Sequence, residues 1–521
     1  MYSFTRRLLR FFLALTLVMS LASCGNNFLS TQPQDTVSAN NFFKTNKQVE
    51  NSTDILYGSP WFQFNDKFSW AVGDIMSGNG RSWSGDVTNY GSFSLTDRGQ
   101  GGSTNTVLTH GWQSLWTVVA QANSLINNLP NRVGSGVSKA TLDHALGEAH
   151  VMRALAYFYL VRLWGPIPII KNNLKHVYDT QVPRYKVSDI YKFIVSDLTY
   201  GINNCKKEAS GLYNGGHVTS GSAKSLLSKV YLTMGDYKKA QQLSQQVIDS
   251  GEFHLLPSYA NLFKTSYNNN IETIIALQWA GTSYGNGNSN EAYFAYNSTI
   301  TGLGTGWAEL GPTISLQNAY KKGDKREKPT IMLPGAHYSE ILKSKGGYTV
   351  PNNVSAQGTD AATKKYVVGT PADNNGQGTS MSRNNNTYML RYADVLLVNS
   401  EAAFRNGDQA QALKSINKVR ERAGLSDLQS VTLDDILHCR RLEFADESKY
   451  WYTLARINRQ KAINMISNQE RGTYANAPKQ QPPTIYSEKY TPSSSKFLLP
   501  YPEEDVTKDP YFSKAPQSYS K

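Results

Sequence analysis

An array of antiparallel helical hairpins, mostly α with a few short strands, is the fold this chain predicts. Three observations carry it. From Arg391 to Leu425 the sequence reads RYADVLLVNSEAAFRNGDQAQALKSINKVRERAGL. Tyr392, Val395, Leu396, Ala402 and Ala403 fall at the three- and four-residue spacings of one helix face. Asn406-Gly407-Asp408 interrupts that face. A glycine there can adopt the left-handed conformation that ends a helix, and Asp408 can cap the next one, with Gln411 answering it. Ala410, Leu413, Ile416 and Val419 make the second apolar stripe. The second observation is an earlier copy, AKSLLSKVYLTMGDYKKAQQLSQQVIDSG from Ala223. Its Gly235-Asp236, Ala240 and Val247 match Gly407-Asp408, Ala412 and Val419 at one constant offset. The small alanine lets the two helices approach, and the glycine makes the turn. One hairpin cannot bury its apolar face alone, so copies imply stacking in a tetratricopeptide-like helical-repeat domain, an α/α superhelix. The third observation is contrast: helical periodicity alternates with long, polar, Gly- and Asn-rich loop excursions.

Taken in order, the chain opens with a leader. Arg6, Arg7 and Arg10 precede the apolar run FFLALTLVM, which is too short for a membrane span of about 20 residues. Leu21-Ala22-Ser23-Cys24 follows, small residues before a cysteine, as a lipoprotein signal peptidase requires. Residues 1–23 therefore read as a signal peptide, and Cys24 as the lipidated first residue of a protein anchored to a membrane without crossing it. Residues 24–521 read as a single domain. Ser38 is expected to cap a helix starting near Asn40. From Ser59 to Thr106 the chain reads as loop, rich in Gly, Ser and aromatics. Helices are expected at His110–Leu129, Thr141–Trp164 and Val187–Asn204, with Pro166 and Pro168 forbidding continuation of the second. Ile271–Trp279 alternates enough for a short strand. Gly281–Gly311 and Lys345–Asn386 are excursions, long enough to suggest function. The helical core thus lies mainly in 107–250 and 387–468, with ligand-loop excursions at 59–106 and 251–386.

Of 521 residues, 40% are hydrophobic and 18% charged, ordinary for a large globular core. The formal charge is +13, or +10 once the three leader arginines are gone. The basic residues are scattered, which points away from nucleic acid. The densest run, KKGDKREK at 321–328, reads as a solvated loop. Besides Cys24, only Cys205 and Cys439 remain; far apart and without metal-type spacing, they read as buried free thiols.

Several segments together resemble the SusD/RagB family of outer-membrane nutrient-binding lipoproteins. The lipobox is followed by FLSTQP and then Ser38 and Phe42-Phe43. EAHVMRALAYFYLVRLWGPIPII at 148–170 resembles the family's most diagnostic helix through Arg153-Ala154, Tyr157-Phe158, Gly165 and Pro168. SYANLFKTSYNNNIETIIALQW at 258–279, Arg391-Tyr392-Ala393-Asp394 with Glu401-Ala402, Asn417 with Arg420 and Arg422-Ala423-Gly424-Leu425, and FLLPYPEEDVTKDP resemble its later signatures. The chain departs from the family's usual acidic residue, Gly, Arg and Asp at Cys439, Ser448, Tyr450 and Thr453, while keeping Arg440, Arg441, Glu443, Glu447, Trp451 and Arg456. The resemblance implies a surface-exposed lid on a SusC-like TonB-dependent transporter barrel in the outer membrane, capturing oligosaccharide or polysaccharide. Peptide is the alternative ligand in the same architecture.

The residues themselves favour binding over catalysis. There is no G-x-S-x-G, P-loop, C-x-x-C or helix–loop–helix calcium loop, and no cofactor is expected. His144, Glu148 and His150 lack the order of zinc ligands in metalloproteases. Glu443 and Glu447 share a helical face. Beside Arg440 and Arg441 they read as an ion-pair network; a membrane-anchored glycoside hydrolase would need such a pair to flank a sugar. A scaffold without small ligand is a further alternative. A sugar presents an apolar C–H face that packs on aromatic rings, and hydroxyls that need amides and carboxylates. Two loop regions supply both. One carries Asp74, Arg81, Trp83, Asn89 and Tyr90; the other carries Tyr284, Tyr293, Tyr296 and Trp307.

Overall fold

The computed structural model describes residues 42–82, 89–94, 102–178, 181–207, 215–475 and 484–519. The lipobox, Cys24, Ser38 and Trp83 lie outside them. Helix α1, Asn46–Ser52, opens the described chain with a complete capping box between Thr45 and Gln48. Residues 42–45 before it are bent, so the helix expected from Asn40 does not run through them.

Seven long helices follow in sequence: α2 Thr106–Arg132, α3 Lys139–Trp164, α4 Val187–Asn204, α5 Ser220–Met234 and α6 Tyr237–Ser250, then, beyond residue 390, α7 Tyr392–Arg405 and α8 Gln409–Arg422. Each packs on the next, including α6 on α7. The two hairpins recognised in the sequence are therefore stacked, although some 140 residues separate them. Gly235 and Gly407 both turn left-handed, at φ 81° and 83°, where any side chain would be strained. Asp236 and Asp408 cap the following helices by accepting from the N–H of Lys239 and Gln411. Ala240 and Ala412 are fully buried. Between the hairpins Asn399 donates to Ser244 Oγ at 3.1 Å and accepts from Ser415 Oγ at 2.7 Å, so even the polar seam is satisfied.

The region 251–386 leaves this array after α6 and returns at α7. Its neck is an antiparallel pair, β1 Thr273–Leu277 with β2 Thr387–Arg391. Every residue of β1 is buried, which explains its apolar run in place of strict alternation. Beyond β2 the helices α9 Leu433–Glu443, α10 Tyr450–Arg456 and α11 Arg459–Ser467 close the array.

Two expectations change. Ser59–Met76 is a succession of tight and wide helical turns, not loop; Trp61, Phe68 and Trp70 are fully buried in the core. The turns over Phe64–Phe68 and Ala71–Met76 are widened by hydrogen bonds that span five residues, and the dense aromatics with Pro60 and Gly73 give the stretch a loop-like composition. In the basic run 321–328, Arg326 is buried, bonded to Asp324 at 2.7 Å and near Glu443 at 3.4 Å; its charge is structural. Cys205 and Cys439 are buried free thiols, as read from the sequence.

Candidate ligand-binding face

The two aromatic loop regions meet. Gly80 pairs with Pro312 and Arg81 with Gly311, a short antiparallel ladder that draws them together. Around it the expected site residues take different places. Asp74 is fully buried: its carboxylate accepts from the N–H of Asp446 at 3.1 Å and of Ser448 at 3.0 Å. Burial, then the neighbouring Asp446, pushes its pKa well up. Arg81 is tied down by Glu488 at 2.6 Å and the carbonyls of Arg471 and Gln357. Both side chains hold the loops in place through these bonds. Asn89 accepts from the N–H of Tyr90. Tyr296 is half-buried against the core.

Tyr90 and Tyr293 are buried and form a wall with Trp70: ring centroids lie 4.9 Å apart for Trp70–Tyr90, 5.7 Å for Trp70–Tyr293 and 6.4 Å for Tyr90–Tyr293. On this wall rests Trp307, 5.2 Å from Tyr293 at 58° and 43% exposed. Its loop is pinned by its own backbone N–H groups and by the side-chain amide of Gln357, which donates to the Ala308 carbonyl at 2.8 Å. The N–H groups of Gly306 and Trp307 donate to Ala292 and that of Glu309 to Tyr293, so the indole is free of holding duties. Tyr284 is 56% exposed, with its edge on Phe62 at 4.8 Å and its hydroxyl donating to Asp66 at 3.3 Å.

Phe62, Asp66 and Lys67 were not foreseen, because they lie in the stretch read as loop. The apolar spacing of Trp61, Phe64, Phe68 and Val72 was the signal that could have placed them on a helix face. Asp66 is buried beneath Tyr284 and Tyr293. Burial raises its pKa, while hydrogen bonds involving Ser289, Tyr284 and Tyr293 and the charge of Lys67 oppose that. Lys67 Nζ lies 5.6 Å from the Tyr293 centroid and 5.9 Å from that of Tyr90. His110, exposed near the start of α2, is close enough to feel both Asp66 and Lys67, with burial chiefly lowering its pKa. The face thus combines two exposed aromatic rings and the partly exposed ammonium of Lys67 on a buried aromatic wall, with the Asp66 carboxylate beneath it.

Glu443 and Glu447 are elsewhere and fully buried. Arg391 contacts both, at 2.6 and 2.8 Å, and Arg422 also binds Glu443. Burial would raise their pKa values, but Arg422, Arg391 and Arg326 hold Glu443 at about 2, and Arg391, Lys365 and Lys449 hold Glu447 at about 2. They flank no cleft. The network persists although Cys439, Ser448, Tyr450 and Thr453 depart from the expected pattern; Thr453 Oγ1 itself accepts from Arg440.

A helical-repeat body with an irregular, aromatic-faced excursion is a recognisable class, and its relatives identify it. The model of the SusD family matches residues 271–517, and a second, described as starch-binding associating with outer membrane, matches 28–232. A SusD-like protein of Bacteroides ovatus is 31% identical, with 97% of each chain covered. The SusD-like protein P2 of Formosa agariphila is 24% identical over 85% of this chain and 89% of its own. A structure determined with xylogluco-oligosaccharide superposes with TM-score 0.81 at 30% identity, covering 91% of this chain and 99% of that one. A laminarin-binding SusD-like protein gives TM-score 0.70 at 24% identity, covering 90% and 98%. This chain belongs to the SusD family.

Proposed function

We propose that this protein captures oligosaccharide on the Tyr284–Trp307 face and delivers it to a TonB-dependent transporter barrel, tethered to the outer membrane by lipid on Cys24. The observation that carries the binding step is the pair of half-exposed rings, Trp307 and Tyr284, beside Asp66 and Lys67 on a buried aromatic wall. A sugar's C–H face packs on such rings, and its hydroxyls find the partly exposed ammonium of Lys67, while buried Asp66 holds the Tyr284 hydroxyl from beneath. Relatives determined with xylogluco-oligosaccharide or described as laminarin-binding support a neutral glycan as ligand. The lipobox and a family description that places relatives at the outer membrane support the tether and location. The mechanism is reversible capture; the one carboxylate pair suggested by the sequence is locked in ion pairs.

The test is calorimetric titration of wild type and Trp307→Ala with xylogluco- and laminari-oligosaccharides, alongside thermal melts. Stacking is worth about 0.5–1.5 kcal/mol beyond the area it buries. With the buried area added, the variant should lose at least about tenfold in affinity, or ~1.4 kcal/mol, with its melt unchanged. Equal affinities would remove Trp307 from the site.

A further inference from the structure

A cavity of about 480 Å3 opens in the 251–386 excursion and shares no lining residue with the Tyr284–Trp307 face. Its charge is unbalanced. Lys264, Lys328, Lys343 and Lys364 line it, against the carboxylates of Glu340 and Asp373. Asp373 is committed to backbone: it accepts from the N–H of Leu342 at 2.9 Å, Lys343 at 2.8 Å and Thr370 at 2.9 Å. The ammonium groups bond mainly to neutral oxygens. Lys343 Nζ donates to the Asp373 carbonyl at 2.6 Å, and Lys264 Nζ to the Asn261 amide oxygen at 2.7 Å. Lys328 Nζ sits 5.5 Å over the Tyr338 ring. Lys364 is buried, donates to the Val367 carbonyl at 2.9 Å, and has its nearest carboxylate, Glu340, at 3.6 Å, beyond hydrogen-bond reach. Among the described residues none of the four makes a closer ion pair.

Lysines lining one cavity repel one another, and buried Lys364 has its counter-ion, Glu340, only at 3.6 Å. An anion seated among them relieves both. The remaining wall carries the exposed polar groups of Ser266, Asn375 and Gln377, suited to hydroxyls. The volume is that of a small-molecule site. We propose that this cavity binds a sugar acid: a monosaccharide-sized group whose carboxylate or sulfate sits among Lys264, Lys343 and Lys364, with its hydroxyls on the amide wall. The site is independent of the neutral-glycan reading of the Tyr284–Trp307 face.

The experiment titrates the full mature chain with D-glucuronate, D-glucose 6-sulfate, D-glucose and inorganic sulfate at low and at physiological salt. At least one acidic sugar should bind, more tightly than glucose or sulfate, and more weakly as salt screens the lysines. Which acidic sugar binds distinguishes carboxylate from sulfate. Lys264→Glu with Lys343→Glu should weaken that binding at least tenfold, while Trp307→Ala leaves it unchanged. Should the double variant melt early, Lys343→Gln, at an exposed side chain, should still show a several-fold loss. Sulfate binding as tightly as either acidic sugar would overturn the saccharide assignment. No binding, or binding untouched by the lysine substitutions, would overturn the site.

Discussion

Trp307 illustrates how a residue can be placed by its backbone and left free by its side chain. Four consecutive residues, Gly306 to Glu309, donate their N–H groups to the short helix beneath them, so removing the indole breaks no hydrogen bond of the loop. The opposite case is Asp446. It is buried, neither carboxylate oxygen has a hydrogen-bond partner, and its backbone is left-handed at φ 57°. Burial lifts its pKa to about 7, against the pull of Lys365 and with the push of Glu447. A carboxyl whose folded pKa exceeds its unfolded value of 3.8 contributes stability that is complete below that value and lost as pH rises through about 7. Asparagine tolerates the same backbone and cannot ionise. Asp446→Asn should therefore raise the unfolding free energy at pH 8 by about 2–4 kcal/mol, with the gain shrinking toward pH 5. Urea unfolding at the two pH values decides it; an equal effect at both would show that the charge is not the cause.

At the scale of elements, the hairpin repeats are where sequence and structure agree most closely, and the reason is local. A turn glycine, a capping aspartate and an alanine at the helix crossing each leave a mark at a fixed position. Val187–Asn204 and the two hairpins consequently lie within a few residues of their expected bounds. Ala412 tests that reading. It is fully buried, and its carbonyl accepts from Ser400 on the facing helix at 2.8 Å, so there is no room for a branched side chain. Ala412→Leu should cost about 1–3 kcal/mol by overpacking, read as a lower melting temperature. An unchanged melt would mean the crossing is looser than the hydrogen bond implies. Ser59–Met76 was illegible for the converse reason. Its apolar residues keep helical spacings, but its dense aromatics, with Pro60 and Gly73, resemble loop composition and mask them. With it went Asp66 and Lys67, the charged groups of the candidate face. Asp74 and Arg81 were visible as residue types, but their inward partners, Ser448 and Glu488, are hundreds of residues away and leave no local trace.

At the scale of the molecule, one buried ion network fastens the excursion to the helical array. Arg391 ends β2, at the neck, and reaches Glu272 at 2.6 Å just before β1, Glu443 at the end of α9 and Glu447 just beyond it. Arg422 of α8 joins Glu272 at 2.8 Å. Asp394 of α7 binds Lys229 of α5, Arg440 of α9 and Lys449 at 2.7–2.9 Å, and Lys449 links back to Glu447 at 3.4 Å. Such a network is dangerous to break, because the surviving partner is a buried charge without a counter-charge. Arg391→Met should therefore cost about 3–5 kcal/mol at pH 7. The pH dependence has a definite sign. Glu443 and Glu447, at about 2 in the fold against 4.5 for the free side chain, contribute stability that is complete above 4.5 and lost as pH falls through about 2. Asp394, held well below its ordinary value by Lys229, Lys449 and Arg440 in spite of burial, acts in the same direction. Wild type should lose stability progressively below about pH 5. The deficit of Arg391→Met should narrow over that same range, since without the guanidinium Glu443 and Glu447 lose much of what keeps them ionised, and acid removes from wild type what the variant already lacks. Chemical unfolding of both proteins from pH 7 to pH 3 measures this directly. A deficit that stays constant with pH would show that Arg391 acts by filling space at the neck and not by its charge.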